Sequence, residues 1–354
     1  MAFYSVRING KPIAVGLENE FPIDRLTVYQ PADQEGITRY FCGTCSAHVL
    51  VHIDESKLPR PGLDHGVLDG STKGVHGSVV GKSESWRVVG GALRQVDGVL
   101  QPTSHIQVAS TMDGGFANQL PVVNGVKLKR FSQGKGSEEL PMDWKSPLLK
   151  EGQPDDELHA RCHCGAVSFY ISHPQEIASR TSAPYPDIIF PISITRRSIL
   201  RNVKDDKWWL RSPIKEGGPV RYLAGHCACN YCRMSSGFEV QSWGWVARAH
   251  IREEGFSKEE PLTLAHLDLR PKGLKQYVSS PGQYREFCGT CGATAFWWNV
   301  GRMDVICVAM GLLNQDQDGA RAEHWFDWSK GRVSFSESPT SPFIIQGIID
   351  ALPP

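Results

Sequence analysis

The chain has 354 residues, 40% of them hydrophobic and 21% charged, which is enough for two ordinary domains with buried cores. Lysine plus arginine equals aspartate plus glutamate at 38 each, so the formal net charge is zero. That balance removes the electrostatic reason to expect nucleic acid or an anionic membrane as partner, and no run approaches the ~18 consecutive apolar residues of a membrane span.

The opening Met1–Arg7 lacks the basic-then-apolar layout of a signal peptide. A cytoplasmic location with reduced thiols is therefore expected. Next come Leu26-Thr-Val-Tyr29 and Arg39-Tyr-Phe-Cys42-Gly-Thr-Cys45, followed by strand-like runs at His48–Ile53 and His105–Ala109. Lys127-Leu-Lys-Arg130 is a short basic run and reads as a solvated surface. Residues 131–158 are polar and carry glycine and proline, so they read as a linker over the surface. Further strand-like runs rich in aromatic and β-branched residues lie at Val167–Ile171, Gln241–Val246, Ala293–Trp298 and Arg302–Ala309. No long stretch keeps a 3.6-residue period, which predicts an all-β architecture with one or two short helices.

The chain also repeats itself. Leu274-Lys-Gln-Tyr277 leads to Arg285-Glu-Phe-Cys288-Gly-Thr-Cys291, as Leu26–Tyr29 leads to Arg39–Cys45. Gly91-Ala-Leu93 precedes Ser104-His105-Ile106, and Gly311-Leu-Leu313 precedes Glu323-His324-Trp325. Matching order over this length predicts a duplicated domain. The expected layout is a truncated copy at 1–130, the linker at 131–158, and a complete copy at 159–345. No cysteine precedes Cys42, so the first copy lacks partners for Cys42 and Cys45.

Seven cysteines of the second half fall as two, three and two: Cys162-His-Cys164, Cys227-Ala-Cys229-Asn-Tyr-Cys232 and Cys288-Gly-Thr-Cys291. Tight spacings like these in a reducing compartment favour metal over disulfides. A closed zinc site takes four ligands, and a reactive one takes three plus an open position. Seven cysteines divide as four plus three. Glycine beside the second cysteine of a pair suits a knuckle whose amides turn toward sulfur, as at Cys288–Gly292 and Cys164-Gly165. The middle triplet can bind one ion as a three-thiolate clip, because Cys307 sits in an apolar strand and reads as a core thiol. Three thiolates around Zn²⁺ leave a net charge of minus one. Such an ion generates hydroxide poorly but holds a soft incoming thiolate well. Spacing leaves the pairing open. Cys162 and Cys164 can instead complete a site with part of the triplet, and all seven cysteines can be structural.

The runs Arg161-Cys-His-Cys-Gly-Ala-Val-Ser-Phe169, His226-Cys-Ala-Cys-Asn-Tyr-Cys-Arg-Met-Ser-Ser-Gly237 and Arg285-Glu-Phe-Cys-Gly-Thr-Cys-Gly292 carry a resemblance. The chain resembles the glutathione-dependent formaldehyde-activating enzyme (Gfa)/CENP-V family, in full order over 159–340 and as a back half over 26–115. The resemblance implies a duplicated β-tent fold and two Zn²⁺ per chain. It implies a structural zinc on Cys162, Cys164, Cys288 and Cys291, and a catalytic zinc on Cys227, Cys229 and Cys232. The activity implied is that of a carbon–sulfur lyase on glutathione or related thiol adducts of an aldehyde or other electrophile. The expected partner is thus a small-molecule thiol, with no nucleic acid and no membrane, and a homo-oligomer is compatible with it.

Two departures from the family pattern stand out. Cys42 and Cys45 cannot close a zinc site alone, so the first copy is expected to be catalytically dead and to support or cover the second; a redox pair is the alternative. The stretch between Cys164 and Cys227 is long and holds Tyr185–Pro191 and Lys207-Trp-Trp-Leu-Arg211. It reads either as a pocket wall or lid, or as an insertion between the copies. Arg233, Ser235 and Ser236 can bind a carboxylate or cap the knuckle turn. His324, beside Trp325, Phe326 and Trp328, either faces the open site or packs in the core. His163 and His226 should point away from the metal. The rival to an enzyme is a zinc scaffold that binds a protein partner.

Overall fold

The computed structural model describes residues 5–8, 23–57, 84–94, 96, 99–149, 155–193, 196–257 and 259–352. Among these the protein is mostly antiparallel β-sheet. The largest sheet has eight strands. Its path runs Leu210–Arg211, Arg221–Cys227, Gln241–Ala247, Val305–Ala309, Thr294–Asn299, Gln283–Cys288 and Leu274–Ser280, with Phe326–Trp328 parallel to Arg221–Cys227. Its central strand Val305–Ala309 is buried at every position, which is why it reads as a continuous apolar run rather than an alternation. A three-stranded sheet pairs Glu157–Arg161, Ser168–Ser172 and Ile251–Glu253 against one face of this core. Trp209, Trp325, Tyr222, Phe169, Phe296 and Phe326 are fully buried within it. Truncating one such aromatic to alanine costs about 3–5 kcal/mol.

The first half forms a separate five-stranded sheet in the order Ser5–Ile8, Glu84–Val89, His48–Asp54, Ile37–Phe41 and Thr27–Tyr29. Its last four strands, in chain order, follow the same antiparallel course as Leu274–Ser280, Gln283–Cys288, Thr294–Asn299 and Val305–Ala309. Both hairpins carry a bulge at the same place, just before Phe41 and just before Phe287. The Cys42 N–H donates to Ala47 O, and the Cys288 N–H donates to Ala293 O, each at 2.8 Å.

The two halves meet through close backbone approaches. Gly292 has φ +74°, and a Cβ there would lie 2.7 Å from the Phe41 ring. A Cβ on Gly91 would lie 2.2 Å from Arg233 O, so only glycine allows the loop 90–92 to rest on the helix Asn230–Ser236. His48 donates from Nε2 to Gly292 O at 3.2 Å. Residues 99–149 then run across the second half. There Leu120, Val123 and Leu128 pack with Ile344, Ile345 and Ile348 of the helix Pro342–Ala351. Within the stretch read as a linker, Phe131, Leu140 and Leu158 are buried, the last in the strand Glu157–Arg161, and most other described side chains face solvent.

Most strand expectations coincide with observed strands to within a residue or two, and two need correction. His105–Ala109 is a strand only over Ser104–His105, because Gln107 takes a left-handed φ of +57° and the chain turns into the 3-10 segment Ala109–Thr111. Arg302 precedes the strand Val305–Ala309, since residues 300–304 form the turn that reverses the hairpin. The described residues also hold five α-helices, more than the one or two expected. Four are seven residues or shorter, too brief to show a period, and Pro342–Ala351 buries Ile344, Ile345 and Ile348 on one helical face.

Burial depresses His48 to about 4 and His226 to about 3, from the ordinary 6.5. Each is neutral when folded and protonates readily when unfolded. Their stabilising contribution is full above pH 6.5 and is lost as pH falls through that value toward 4. The urea midpoint is expected to fall between pH 7 and 4.5. A His48→Gln variant should show a shallower fall, smaller by on the order of 1–2 kcal/mol over that range. An unchanged slope would mean that His48 protonates freely in the fold.

Candidate metal centres

Two groups of side chains can each hold a metal ion: Cys162, Cys164, Cys288 and Cys291, and separately Cys227, Cys229 and Cys232. Within each group the sulfurs lie within 4.8 Å of one another. This is the four-plus-three division, and it separates Cys162 and Cys164 from the triplet.

The four-sulfur group joins two sheets. Cys162 and Cys164 follow the strand Glu157–Arg161, and Cys288 and Cys291 follow Gln283–Cys288 of the large sheet. Cys164 Sγ lies 3.5 Å from both Cys162 Sγ and Cys288 Sγ. Around a tetrahedral ion with ~2.3 Å bonds to sulfur the edges would be about 3.8 Å, so the set fits such an ion. Gly165 at φ +77° and Gly292 at φ +74° turn the knuckles, and Val167 N–H donates to Cys162 Sγ at 3.3 Å. Hydrogen bonds among the sulfurs hold Cys288 well below the usual thiol range and push Cys162 to about 12 and Cys291 up as well. Four thiolates this close repel, so all four ionise together only around a cation.

The five-stranded sheet lies against this group. Tyr29 donates to His163 Nδ1 at 2.6 Å, and His163 Nε2 faces Asp33 at 3.0 Å. His163 thus points away from the sulfurs, as its position between two ligands predicts. Burial, then the nearby Cys291, Cys164 and Asp33, push the Tyr29 hydroxyl up to about 12.

The triplet is built differently. Cys227 ends the strand Arg221–Cys227, Cys229 caps the helix Asn230–Ser236, and Cys232 lies in its first turn. Cys227 and Cys232 are buried and Cys229 is part-exposed, so the group is reached from the Cys229 side. Trp243 Nε1 donates to Cys232 Sγ at 3.4 Å. Arg285 is buried and donates to Cys232 Sγ at 3.6 and 3.7 Å and to Cys229 Sγ at 3.8 Å. Tyr231 stands over the Arg285 guanidinium at 5.4 Å. Burial opposes ionisation of Cys232, but hydrogen bonds from Cys227 and Cys229 and the charge of Arg285 bring it well below the usual thiol range. Hydrogen bonds from Cys229 and Cys232, then burial, raise Cys227.

The helix carrying the triplet is tied to both halves. Arg233 pairs with the buried Glu239 at 2.8 Å and donates to Leu93 O at 2.6 Å, while Ser341 donates to the same Glu239 carboxylate. Ser235 donates to Cys232 O, and Ser236 donates to Arg233 O and Phe238 O. Of the two readings for Arg233, Ser235 and Ser236, these bonds match the turn-holding one.

Several sequence candidates lie elsewhere. His226 is buried, shares a hydrogen bond with Ser242 Oγ at 2.9 Å and is in neither group. His324 is exposed and bound to Asp318, so it does not pack in the core, whereas Trp325 and Phe326 are buried. Cys42 and Cys45 belong to neither group. Trp208 and Trp209 are buried in the core of the second half, with Tyr185 and Ile189 packed against it, so this insertion packs within its own half. Cys307 is buried, as expected, but Arg302 Nη2 donates to its sulfur at 3.5 Å. Arg285, Trp243 and Glu239 escaped the sequence reading. Arg285 stands in the run that carries the resemblance, but nothing local says that a residue three before one cysteine pair reaches a different cluster.

No family model matches the chain, and no curated protein matches it. Among solved structures, a crystal structure of a Rhodobacter sphaeroides protein aligns over 48% of this chain and 98% of its own, at 15% identity and a TM-score of 0.24. A likeness that weak carries no argument. Among the described residues, no helix is long and apolar enough to cross a membrane.

The two groups should respond differently to loss of one sulfur. Cys288→Ser breaks a tie between two sheets and is expected to lower unfolding free energy by more than about 3 kcal/mol. Cys229→Ser, at the reachable edge, should stay folded and lose one bound divalent ion per chain. Metal analysis with urea melts checks both, and equal destabilisation by the two changes would contradict the division of roles.

Proposed function

We propose that this protein is a zinc-dependent carbon–sulfur lyase acting on glutathione or related thiol adducts of an aldehyde, in the manner of the Gfa/CENP-V family. In this reading Cys162, Cys164, Cys288 and Cys291 hold a structural zinc, and Cys227, Cys229 and Cys232 hold a catalytic one. The observation that carries the reading is the division into a four-cysteine group and a three-cysteine group; each has one part-exposed member, Cys164 and Cys229, so the difference lies in ligand number. The closed set has the ligand number of a structural ion, and the triplet is one short of it.

Zinc on the triplet would supply a position where an incoming sulfur is held as thiolate. The chain's own residues set the conditions around it. Arg285 offsets the negative charge of three thiolates in a buried setting, and Trp243 fixes Cys232 by an indole N–H. Cys307 lies in neither sulfur group, and its sulfur accepts from Arg302. In the cleavage direction the carbon–sulfur bond breaks and its electron pair stays on sulfur. The adduct hydroxyl gives its proton to water and becomes the carbonyl of the aldehyde.

The same reading includes a duplication, with 1–130 as a truncated, inactive copy of 159–345 in a β-tent fold. Its support is the shared strand course, the shared bulge before Phe41 and Phe287, and the matching knuckle hydrogen bonds. The first copy would then act as a cover over the four-sulfur group, through Tyr29 and Phe41. A reducing, cytoplasmic setting and a small thiol partner belong to the same proposal.

The test is exchange NMR on glutathione mixed with formaldehyde. The zinc-loaded protein is expected to accelerate adduct formation and breakdown, and Cys229→Ser is expected to lose at least about 100-fold of that acceleration. Two bound ions per chain with no acceleration for any thiol–aldehyde pair would replace the lyase by a zinc scaffold.

A further inference from the structure

Next to the triplet the large sheet carries a buried cation that lacks a carboxylate. Arg302 lies in the turn before Val305–Ala309, and its side chain folds back to only 4% exposure. Its guanidinium sits between two indoles, 5.2 Å from the Trp297 ring and 5.3 Å from the Trp208 ring. Nη2 donates to Cys307 Sγ, and the buried Nη1 has no hydrogen-bond partner. Among the described residues Arg233 meets Glu239, Arg270 meets Glu286, Arg321 meets Asp113 and Arg332 meets Asp187, whereas Arg130 and Arg285, like Arg302, hydrogen-bond to sulfur and keep an unpartnered N–H. Burying an uncompensated charge and leaving one of its donors unmade is costly, so such a group is expected to have an anionic partner.

A second orphaned donor lies on the same face. Trp245 is directly across from Cys307 in the sheet, and Cys307 is directly across from Trp297. The Trp245 Nε1 N–H is buried and unpartnered, and Trp208 meets the Trp245 ring edge-on at 6.4 Å. Two residues before Trp245 on the same strand face, Trp243 donates to Cys232. The row Trp243, Trp245, Cys307 and Arg302 therefore leads from the triplet to the orphaned guanidinium. The donors amount to one positive charge and one indole N–H between apolar ring faces. That set suits a monocarboxylate. A phosphate would demand more charge and more donors.

We propose that Arg302 and Trp245 form a carboxylate-binding site beside the triplet, walled by Trp208 and Trp297. The site stands without the lyase reading; its use as the anchor for a thiol substrate that carries a carboxylate rests on that reading. The anchor would hold the carboxylate while the sulfur of the same molecule reaches the triplet.

Tryptophan fluorescence of the metal-loaded protein is titrated with acetate, and with chloride at equal ionic strength. Acetate is expected to give a saturable change, weakened at least tenfold by Arg302→Met and severalfold by Trp245→Phe, while chloride gives none. Trp245→Phe removes one N–H and keeps the ring, so it decides the matter should Arg302→Met fail to fold. A folded protein with no saturable acetate response, or one equally strong in Trp245→Phe, overturns the site. In a second arm, 3-mercaptopropionate and 2-mercaptoethanol are compared as ligands of the cobalt-loaded protein by their sulfur-to-metal absorption. Tenfold tighter binding of the acid, lost in Arg302→Met, supports the anchor. Acetate binding without that advantage leaves the carboxylate site standing and overturns its role as a thiol anchor.

Discussion

The packing of four sulfurs from two sheets into one point is the constraint on which the rest depends. Cys162 and Cys164 leave a small three-stranded sheet, and Cys288 and Cys291 leave the largest sheet. Sulfurs 3.5 Å apart cannot all carry charge without a cation, so the fold of this region and its ionisation are one problem. Turns with left-handed glycines at 165 and 292 solve the backbone part of it. The five-stranded sheet answers part of the solvent problem, since Tyr29 and the Phe41 ring lie against the knuckles.

The triplet meets the same electrostatic problem by another route. Arg285 brings a fixed guanidinium to Cys229 and Cys232 from a neighbouring strand, and Trp243 adds a neutral donor. Guanidinium holds its charge at any ordinary pH, so this compensation does not switch off. The helix that presents Cys232 is held by the Arg233–Glu239 pair, and Arg233 also reaches Leu93 of the first half. The first half therefore bears on both sulfur groups, through Tyr29 at one and Arg233 at the other. Buried charges recur in this core. The pairs Arg233–Glu239 and Arg270–Glu286 are closed, while Arg302 meets only a thiol and two indoles. A closed pair holds structure, whereas an open one can hold a ligand.

The candidate ligand clusters and strand character were legible in the sequence because both are local. A Cys-x-x-Cys turn with a following glycine bends two sulfurs to one side whatever surrounds it, as at Cys288–Gly292. Runs such as Gln241–Ala247 and Val305–Ala309 are apolar enough to be strands in any fold that buries them. The short helices were not legible, because four to seven residues span too few turns to show a face. His105–Ala109 misled because Gln107 takes a left-handed φ, so the residues after His105 bond to Phe131–Gln133 from a turn and not as a ladder.

By itself the sequence determined seven clustered thiols, their knuckle turns and a mainly β chain, since each follows from residue type and short spacing. Spacing left the pairing open and the resemblance implied it; the tertiary structure brings Cys162 and Cys164 to Cys288 and Cys291 rather than to the triplet. It alone brought Arg285 to sulfurs 53 and 56 positions away, and set Arg302 between Trp208 and Trp297. Those outcomes depend on which strands become neighbours, and strand order is a property of the whole packed core that no short window of residues contains.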